Sequence, residues 1–440
     1  MSNATIGNPV THNAAPAFCT VNAHCLENIV RLSDDMEVLA SSDIVDDCGI
    51  KLWAKGKPVS RALQEKMLKR RLRQPLEVSL DVGDGVCLES IVSDCFGLMK
   101  ETPALDLLGG SSGAKGALRS VRNVPLPGPL KLLLTSAREH KKQNYAISLA
   151  SMITCSGLAY GIGLNDRDAG ILILSALVHD VGEMYINPEY LDDDRPLQAS
   201  EWKYVASHPC VGQAFLKEFA QFPAAVADCV VHHHERLDGS GYPFQVSGET
   251  MGPLCKLISV ADSVSAIVMR GGPSMFDRVD VALRIVPEEF PRPAVSFITK
   301  TLAPLREECA PATAGSFAER VLPTLQQLRS ARLLAEALIK AHLNKSLGDV
   351  GQFTYDALRN IDKSLRATGV YEFSQLAVLE SDPVVMGEVC LVLKEVTWRL
   401  RNLARNVHLR TEKSGNSEDL AQISELIDTL GTAPTLTRLQ

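Results

Sequence analysis

The sequence predicts a mainly α-helical chain that also carries a small α+β module near its N-terminus. Aromatic residues make up only 5% of the 440 residues, which disfavours a β-sandwich and fits helices built from Ala and Leu. Further along the chain apolar residues recur at helical spacing, for example at Ile171, Leu174 and Leu177. Alternation of apolar and polar residues, which is typical of short strands or a hairpin, is found around Gly49 and Gly56.

The composition indicates a globular chain of two or three domains, with 45% hydrophobic and 22% charged residues. A net charge of −7 gives no electrostatic footprint for DNA or an anionic membrane. The 11 cysteines include no C-x-x-C pair, which favours reduced thiols over disulfides. The N-terminus has no signal-peptide pattern, and the longest apolar run, Ile171–Val178, is far shorter than the ~20 residues of a membrane span. We therefore expect a soluble, cytoplasmic protein.

Changes in composition predict six segments. The basic stretch "RALQEKMLKRRLRQPLE" is expected to form a helix ending before Pro75, and "LGGSSGAKGALRSVRNVPLPGP" has the Gly, Ser and Pro content of a flexible connector. The segments are a disordered lead-in (1–40), a small N-terminal module (41–105), a linker (106–128), a helical domain (129–275), a C-terminal helical region (276–410) and a mobile tail with one short helix (411–440).

In the helical domain, Asn165 or Asp166 can cap a helix that ends near His179. Further helices are expected at 200–207, 211–219, 224–234 and 254–269. The C-terminal region has amphipathic helical patterns without recognisable chemistry. Its apolar stripes are most simply core, and its helices could also mediate a homodimer or partner docking.

Polar residues with metal-ligand chemistry concentrate in the helical domain. Five of the 10 histidines lie between His179 and His234, and Asp262 sits in the apolar stretch "LISVADSVSAIV". A carboxylate there is costly to bury alone, so it is either paired with Lys256 or Arg270, or bound to a cation. Imidazole nitrogens together with carboxylate oxygens suit Fe, Mn or Zn.

The three consecutive histidines of "HHHERLDGSGYP" cannot all point at one ion. Successive helical residues are rotated by about 100°, so two neighbours can converge while the third faces elsewhere. We expect His232 to be the bystander.

The segments "LVHDVGEMYINPEYL", "ASHPCVG", "HHHERLDGSGYP" and "ISVADSVSA" resemble, in order and spacing, the signatures of the HD-GYP family. This family belongs to the HD superfamily of helical phosphohydrolases and hydrolyses the bacterial second messenger cyclic di-GMP. The resemblance covers about 140 residues and implies a helical HD-domain fold. Its most specific part, from His233 to Pro243, is intact.

The resemblance implies two divalent metal ions, Fe or Mn, with Asp180 between them. The implied ligands are His179, Asp180, His208, His233, His234 and Asp262. The implied substrate loop comprises Asp238, Gly239, Gly241, Tyr242 and Pro243. Water acidified by the ions would attack phosphorus in line, and the same ions would stabilise the developing charge. The implied ligand is a cyclic dinucleotide, and the Gly-Tyr-Pro segment could also contact a signalling protein.

The chain departs from the family pattern at a metal-binding histidine. The family has such a histidine on the helix before the His-Asp pair. The expected position is Ile147 or Asn144, depending on the match, and the upstream candidate His140 is one to two helical turns away.

Two lysines of the family are also replaced, one by Glu183 and a second by Asp193. Carboxylates in these places reverse the local field near a phosphodiester, and Arg236 and Arg195 could compensate in part. The residues expected to act in catalysis are Asp180, Glu183 and Arg236.

Two functions therefore compete. The first is a metal-dependent phosphodiesterase for cyclic di-GMP or a related nucleotide phosphodiester. The alternative is a regulatory module that binds metal or nucleotide and signals through partners without turnover. A structural zinc protein is disfavoured, because cysteine takes no part in the cluster and its aspartates are unusual for a closed zinc site.

Overall fold

The computed structural model describes residues 18–68, 70–192, 195, 197–307, 317–342, 346–367, 383–411 and 417–431. As the sequence predicted, this part of the chain is mainly helical, with short strands near the N-terminus. Two compact units are present. Of the described residues, those within 18–86, 126–141 and 218–220 form one unit, and those within 87–125, 142–217 and 221–431 form the other.

The helices are α1 (Ala23–Asp35), α2 (Arg61–Met67), α3 (Leu88–Glu101), α4 (Pro103–Gly109), α5 (Ser112–Ser120), α6 (Gly128–His140), α7 (Lys142–Gly161), α8 (Asp166–Val178), α9 (Ala199–Ala206), α10 (His208–Phe219), α11 (Ala224–His232), α12 (Pro253–Arg270), α13 (Met275–Arg284), α14 (Arg292–Leu302), α15 (Phe317–Ala341), α16 (Ser346–Ala367), α17 (Pro383–Thr411) and α18 (Ser417–Gly431). The strands are β1 (Val38–Ala40), β2 (Ile44–Val45), β3 (Lys51–Trp53) and β4 (Leu80–Val82). Within the described ranges, none of the helices combines the length and apolar character that a membrane-spanning segment needs.

The first unit contains two small antiparallel sheets beside α1, α2 and α6. Strand β1 pairs with β4, and β2 pairs with β3, which confirms the hairpin predicted around Gly49. Gly49 has φ +88°, a left-handed conformation that favours glycine. The apolar faces of α1 and α2 bury Ile29, Leu32, Leu63 and Met67.

In the second unit α7 is buried on nearly all sides and packs against α8 and α12. Buried hydroxyl groups on α7 need partners inside the protein. The Thr154 Oγ1 atom is 3.1 Å from the Ser265 Oγ atom of α12, so each hydroxyl satisfies the other. This packing fixes the relative positions of α7 and α12.

The C-terminal helices α15 to α18 share an apolar core that includes Leu338, Leu358, Leu400 and Leu426. This confirms the amphipathic pattern seen in the sequence. Helix α17 also contacts α9 and α13, so it runs beside the elements that follow the His-Asp pair.

Three stretches are more ordered than the sequence suggested. The lead-in (1–40) contains α1, whose first N–H groups are capped by the Asn22 side chain. The linker (106–128) contains α5, because Ser111 caps it and because Ala114 and Leu118 are buried. The tail (411–440) contains the expected helix, α18, but its apolar face is buried in the bundle core. Tertiary packing therefore outweighs the weak local helix signal of these stretches.

The basic helix, in contrast, is shorter than predicted. Helix α2 ends at Met67 and does not continue toward Pro75. The backbone N–H of Leu72 donates to the Cys19 carbonyl (2.8 Å), and that of Arg73 donates to the Val45 carbonyl (3.0 Å). These extended contacts replace the helical hydrogen bonds.

Candidate metal centre

Helix ends bring the candidate ligands together. His179 and Asp180 follow α8 directly, His208 begins α10, and the histidine pair follows α11. Asp262 lies in the middle of α12 and is buried. The structure thus gathers all six predicted ligands, which are His179, Asp180, His208, His233, His234 and Asp262.

Asp180 touches three histidines. Its Oδ2 atom is 3.0 Å from Nε2 of His179. Its Oδ1 atom is 3.3 Å from Nε2 of His208 and also 3.3 Å from Nε2 of His233. The two carboxylate oxygens therefore face different histidines, and the two-ion arrangement stays a prediction.

Asp262 completes the other side of the cluster. Its Oδ1 atom is 3.5 Å from Nε2 of His179, and its Oδ2 atom is 3.3 Å from Nδ1 of His234. The alternative of pairing with Lys256 or Arg270 is not needed, since Asp262 lies among the histidines.

Backbone carbonyl groups orient three of the imidazole rings. Each Nδ1 atom lies 2.6–2.8 Å from the carbonyl oxygen three residues earlier, with the pairs being His179 with Ala176, His208 with Val205, and His233 with Val230. A carbonyl oxygen only accepts, so each Nδ1 carries the proton. In the neutral rings the Nε2 lone pairs are then free to bind a metal.

The arrangement fits cations at its centre. The Nε2 atoms of His208 and His233 are only 3.2 Å apart, and both face Oδ1 of Asp180. In the neutral tautomers these three atoms are all acceptors, and a metal ion among them would satisfy all three. Candidate ligand atoms of Asp180, His208, His233 and His234 lie within 4.8 Å of one another.

Two further atoms support this interpretation. Nε2 of His179 and Oδ1 of Asp180 are buried and make no hydrogen bond within the described residues. Buried polar atoms of this kind are uncommon unless a ligand or ion satisfies them. The nitrogen and carboxylate donor set suits Fe, Mn or Zn.

The pKa values of His233, His234 and Asp180 favour the protonation states in which these side chains can bind a metal ion. Burial lowers the pKa of His234 to about 3 and also lowers that of His233, so both rings are neutral. Burial opposes ionisation of Asp180, yet His179 and its other histidine neighbours hold the pKa of Asp180 well below its usual range. Burial disfavours the charged form of His179, but Asp180 and Asp262 raise its pKa well above the ordinary value. The carboxylates therefore attract positive charge to this place.

A buried glutamate holds the predicted substrate loop. The Glu235 carboxylate accepts hydrogen bonds from the backbone N–H groups of Phe244 (2.6 Å), Gln245 (3.0 Å) and Val246 (3.2 Å). Asp238 Oδ1 accepts from both the N–H (3.0 Å) and the hydroxyl of Ser240 (2.7 Å). These bonds fix both ends of the turn.

The loop places Tyr242 against the metal centre. Its ring centroid is 4.5 Å from that of His234 and 5.0 Å from that of Trp202. The Tyr242–Pro243 peptide bond is cis, and Gly239 has φ +79°. Burial, together with Asp262 and Asp180, raises the pKa of the Tyr242 phenol well above its usual value, so the hydroxyl stays protonated at neutral pH.

Gly241→Ala is expected to destabilise the loop. An added Cβ would lie 2.4 Å from Cα of Glu235 and 2.4 Å from the His234 carbonyl oxygen, and backbone atoms cannot move aside cheaply. We expect a loss of about 1–3 kcal/mol in the free energy of unfolding, measured by urea denaturation. Gly116→Ala is the matched control, since Gly116 has no atom within 4 Å of an added Cβ. An equal loss in both variants would contradict this interpretation.

Two of the departures from the family pattern, Asn144 and Glu183, are in direct contact. Asn144, one of the two positions matched to the missing histidine, donates from Nδ2 to Oε2 of Glu183 at 2.7 Å. Burial disfavours the charged form of His208, but Asp180 and, to a smaller extent, the charge of Glu183 raise its pKa. The upstream candidate His140 instead lies 3.6 Å from Asp35. Asn144 is therefore the position that approaches the centre through Glu183.

The expected compensating cations are already engaged. Arg236 donates to Ser263 Oγ (3.0 Å) and lies 3.5 Å from Glu289. Arg195 forms a two-pronged ion pair with Glu201, at 2.6 and 3.0 Å. Asp193, the other replacement, lies outside the described residues.

The expected bystander, His232, has its Nδ1 atom 2.7 Å from the Asp228 carbonyl oxygen. That position is outside the group of candidate ligands.

A cavity of about 440 Å3 borders the metal centre. His234, Asp262 and Tyr242 line one side, and residues of α17, including Arg405 and Asn406, line the other. The α17 side of the cavity was not predicted from the sequence. Polar residues of an amphipathic helix ordinarily face solvent, so Arg405 and Asn406 gain meaning only when the facing cavity is known.

Residues 134–288 match the family model described as HD domain. Similar curated proteins include the cyclic di-GMP phosphodiesterase PA4108 of Pseudomonas aeruginosa, which is 34% identical over 31% of this chain and 33% of its own length. The 3'3'-cGAMP-specific phosphodiesterase 3 of Vibrio cholerae is 30% identical over 30% of this chain and 28% of its own. The cyclic di-GMP phosphodiesterase response regulator RpfG of Xanthomonas campestris is 31% identical over 31% and 36%, respectively.

Among solved structures, the HDG"Y"P protein Bd1817 from Bdellovibrio bacteriovorus matches 61% of this chain and 94% of its own, with 14% identity and a TM-score of 0.34. The chain spans about a third of the length of the curated relatives it matches. The stretch matched by the family model contains all six predicted ligands.

Proposed function

Because residues 134–288 form an HD domain related to cyclic dinucleotide phosphodiesterases, we propose that this chain is a metal-dependent phosphodiesterase. Its proposed substrate is cyclic di-GMP or a related nucleotide phosphodiester. The observation that carries the proposal is the convergence of the acceptor atoms of His208, His233 and Asp180 within 3.3 Å of one another.

Divalent ions bound by the six ligands would act as Lewis acids, lowering the pKa of water and offsetting charge on phosphoryl oxygens. Asp180 orients the two halves of the ligand set, and the carbonyl-bound histidines keep their Nε2 atoms directed inward. The protonated hydroxyl of Tyr242 can donate to a phosphoryl oxygen in the cavity. Arg236, in contrast, stabilises the wall of the cavity through Ser263 and Glu289.

One contact, between Glu183 and Asn144, favours the alternative of a regulatory module without turnover. Glu183 and Asn144 bond to each other where the family pattern has a lysine and, at one matched position, a histidine. The extra carboxylate attracts cations and repels phosphate, so binding of metal could survive while hydrolysis is lost. A signalling partner at the Gly-Tyr-Pro loop and a homodimer stay predictions under either function.

The test is hydrolysis by purified chain prepared anaerobically and loaded with Fe(II) or Mn(II). Cyclic di-GMP and 3'3'-cGAMP are incubated separately, and the products are separated by chromatography. We expect conversion of at least one substrate, and loss of conversion after chelation. A folded, metal-loaded protein that converts neither substrate would instead support the regulatory module.

A further inference from the structure

The cavity beside the metal centre extends to a helix outside the HD domain. Its volume of about 440 Å3 falls in the range of ~300–1,000 Å3 that is typical of small-molecule sites. Helix α17 begins at Pro383, well beyond the end of the family match at residue 288. The part of the site contributed by α17 therefore lies outside the stretch matched by the family model.

Arg405 of α17 is the cation of interest. Its Cζ atom lies 4.8 Å from the ring centroid of Trp202, and its Nη1 atom donates to Oδ1 of Asn402 at 3.3 Å. Burial lowers its pKa, yet no carboxylate of the described chain forms an ion pair with it. Arg399, less than two turns earlier, instead contacts Glu289 at 2.6 and 2.7 Å. Of these two guanidinium groups on α17, that of Arg399 is thus paired with a carboxylate and that of Arg405 is not.

Two buried polar atoms near Arg405 also lack partners. Nε1 of Trp202 and Oδ1 of Asn406 make no hydrogen bond within the described residues. Their side chains are 94–97% buried, with exposures of 6% for Trp202 and 3% for Asn406, and both line the cavity. Nδ2 of Asn406 donates to the Ser240 carbonyl at 2.7 Å, which joins α17 to the substrate loop. Buried donors and acceptors left open in this way point to a polar ligand.

A cyclic dinucleotide carries two phosphodiesters, and each is negatively charged. The reacting phosphodiester lies at the metal centre, so the second one needs a cation elsewhere in the cavity. The family's lysines are acids here, and Arg195 and Arg236 are held by Glu201 and Glu289. Arg405 is half-buried in the cavity wall beside Trp202, and no carboxylate of the described residues pairs with it. Arg278, which also lines the cavity, donates to the Gly271 carbonyl.

We propose that Arg405 binds the phosphodiester that is not cleaved, with Trp202 Nε1–H as a second donor. Asn406 Oδ1 then accepts from an amino group of a nucleobase. This inference rests on the cyclic dinucleotide specificity of the proposed function. It makes α17 the specificity-determining element of the site.

The test uses the full chain, loaded with Mn(II), and a phosphorothioate analogue of cyclic di-GMP that resists hydrolysis. Calorimetric titration gives the Kd for the unsubstituted chain and for Arg405→Gln, Arg405→Lys and Arg401→Gln. Arg401 is exposed on the same helix and does not line the cavity, so it is the matched control. Circular dichroism checks that every variant is folded.

We expect Arg405→Gln to raise the Kd by about tenfold or more, and Arg405→Lys to restore much of the affinity because it keeps the charge. The salt dependence of binding should weaken in Arg405→Gln and stay unchanged in Arg401→Gln. In turnover of cyclic di-GMP, KM should rise more than kcat falls.

The inference is overturned if the chain does not bind the analogue, if Arg405→Gln binds as tightly as the unsubstituted chain, or if Arg401→Gln weakens binding equally. The binding and hydrolysis measurements test this inference and the proposed function separately. Arg405-dependent binding without hydrolysis would reject the phosphodiesterase and keep this inference. Hydrolysis with binding unaffected by Arg405→Gln would do the reverse.

Discussion

Replacing Asp180 by Asn is expected to abolish hydrolysis and to deplete bound metal. Asp180 is the residue that contacts His179, His208 and His233 together, at 3.0–3.3 Å. Asn keeps the shape of the side chain but removes the negative charge that draws cations into the cluster. We expect the rate to fall by about a thousandfold or more, measured by chromatography of cyclic di-GMP alongside metal analysis.

The matched control for this variant is Asp166→Asn. Asp166 is exposed at the opposite end of α8, about 18 Å along the helix axis from its last residue at 1.5 Å per residue. Its replacement should leave metal content and rate unchanged. If Asp180→Asn keeps a rate within tenfold of the unsubstituted chain, Asp180 does not hold the reacting centre together.

Replacing Arg399 by Ala is expected to cause the largest loss of stability. The Arg399 guanidinium is buried between Glu289 and Glu395, at 2.6 and 3.2 Å, and also donates to the Ala282 carbonyl at 2.8 Å. Its removal leaves Glu289, which is 3% exposed, with Arg236 as its remaining cation. Breaking a buried pair from one side typically costs about 3–5 kcal/mol, measured by urea denaturation near neutral pH.

The loss of stability in Arg399→Ala should depend on pH, because it involves the charge of Glu289. Burial raises the pKa of Glu289 even though Arg399 and Arg236 act to lower it. Without Arg399 the pKa rises further, so the variant is penalised most at pH values where the carboxylate must be charged. The loss should therefore shrink as the pH falls toward ~4.5, the ordinary value for glutamate. Arg292→Ala, which breaks an exposed ion pair with Glu288, should lose little at any pH, and equal losses would contradict the argument.

The candidate ligands were predicted from the sequence because four short segments resemble the signatures of the HD-GYP family. His179 and Asp180 follow a strongly apolar helix, and His233 and His234 precede a turn that contains Gly and Pro. Three of the four segments lie at helix ends, and the fourth, which contains Asp262, lies within α12. The packing of the helices brings the four together. Asp262 was also a clear candidate, because a carboxylate buried in an apolar stretch needs a charged partner.

The α17 side of the cavity was not predictable in the same way. Asn406 bonds to Ser240 across 166 positions in sequence, and nothing local to either residue indicates that contact. The helix α5 was missed for a related reason, since glycines weaken its local signal while burial of Ala114 and Leu118 stabilises it. Long-range packing, not residue type, decides both features.

The most direct test of the account is a metal titration of the metal-free chain with Mn(II) under anaerobic conditions. Bound metal and the rate of cyclic di-GMP hydrolysis are followed in the same samples. We predict no hydrolysis without metal and a rate that rises with metal occupancy and saturates at about two equivalents. Metal binding to saturation without hydrolysis, or hydrolysis that does not depend on metal, would contradict it.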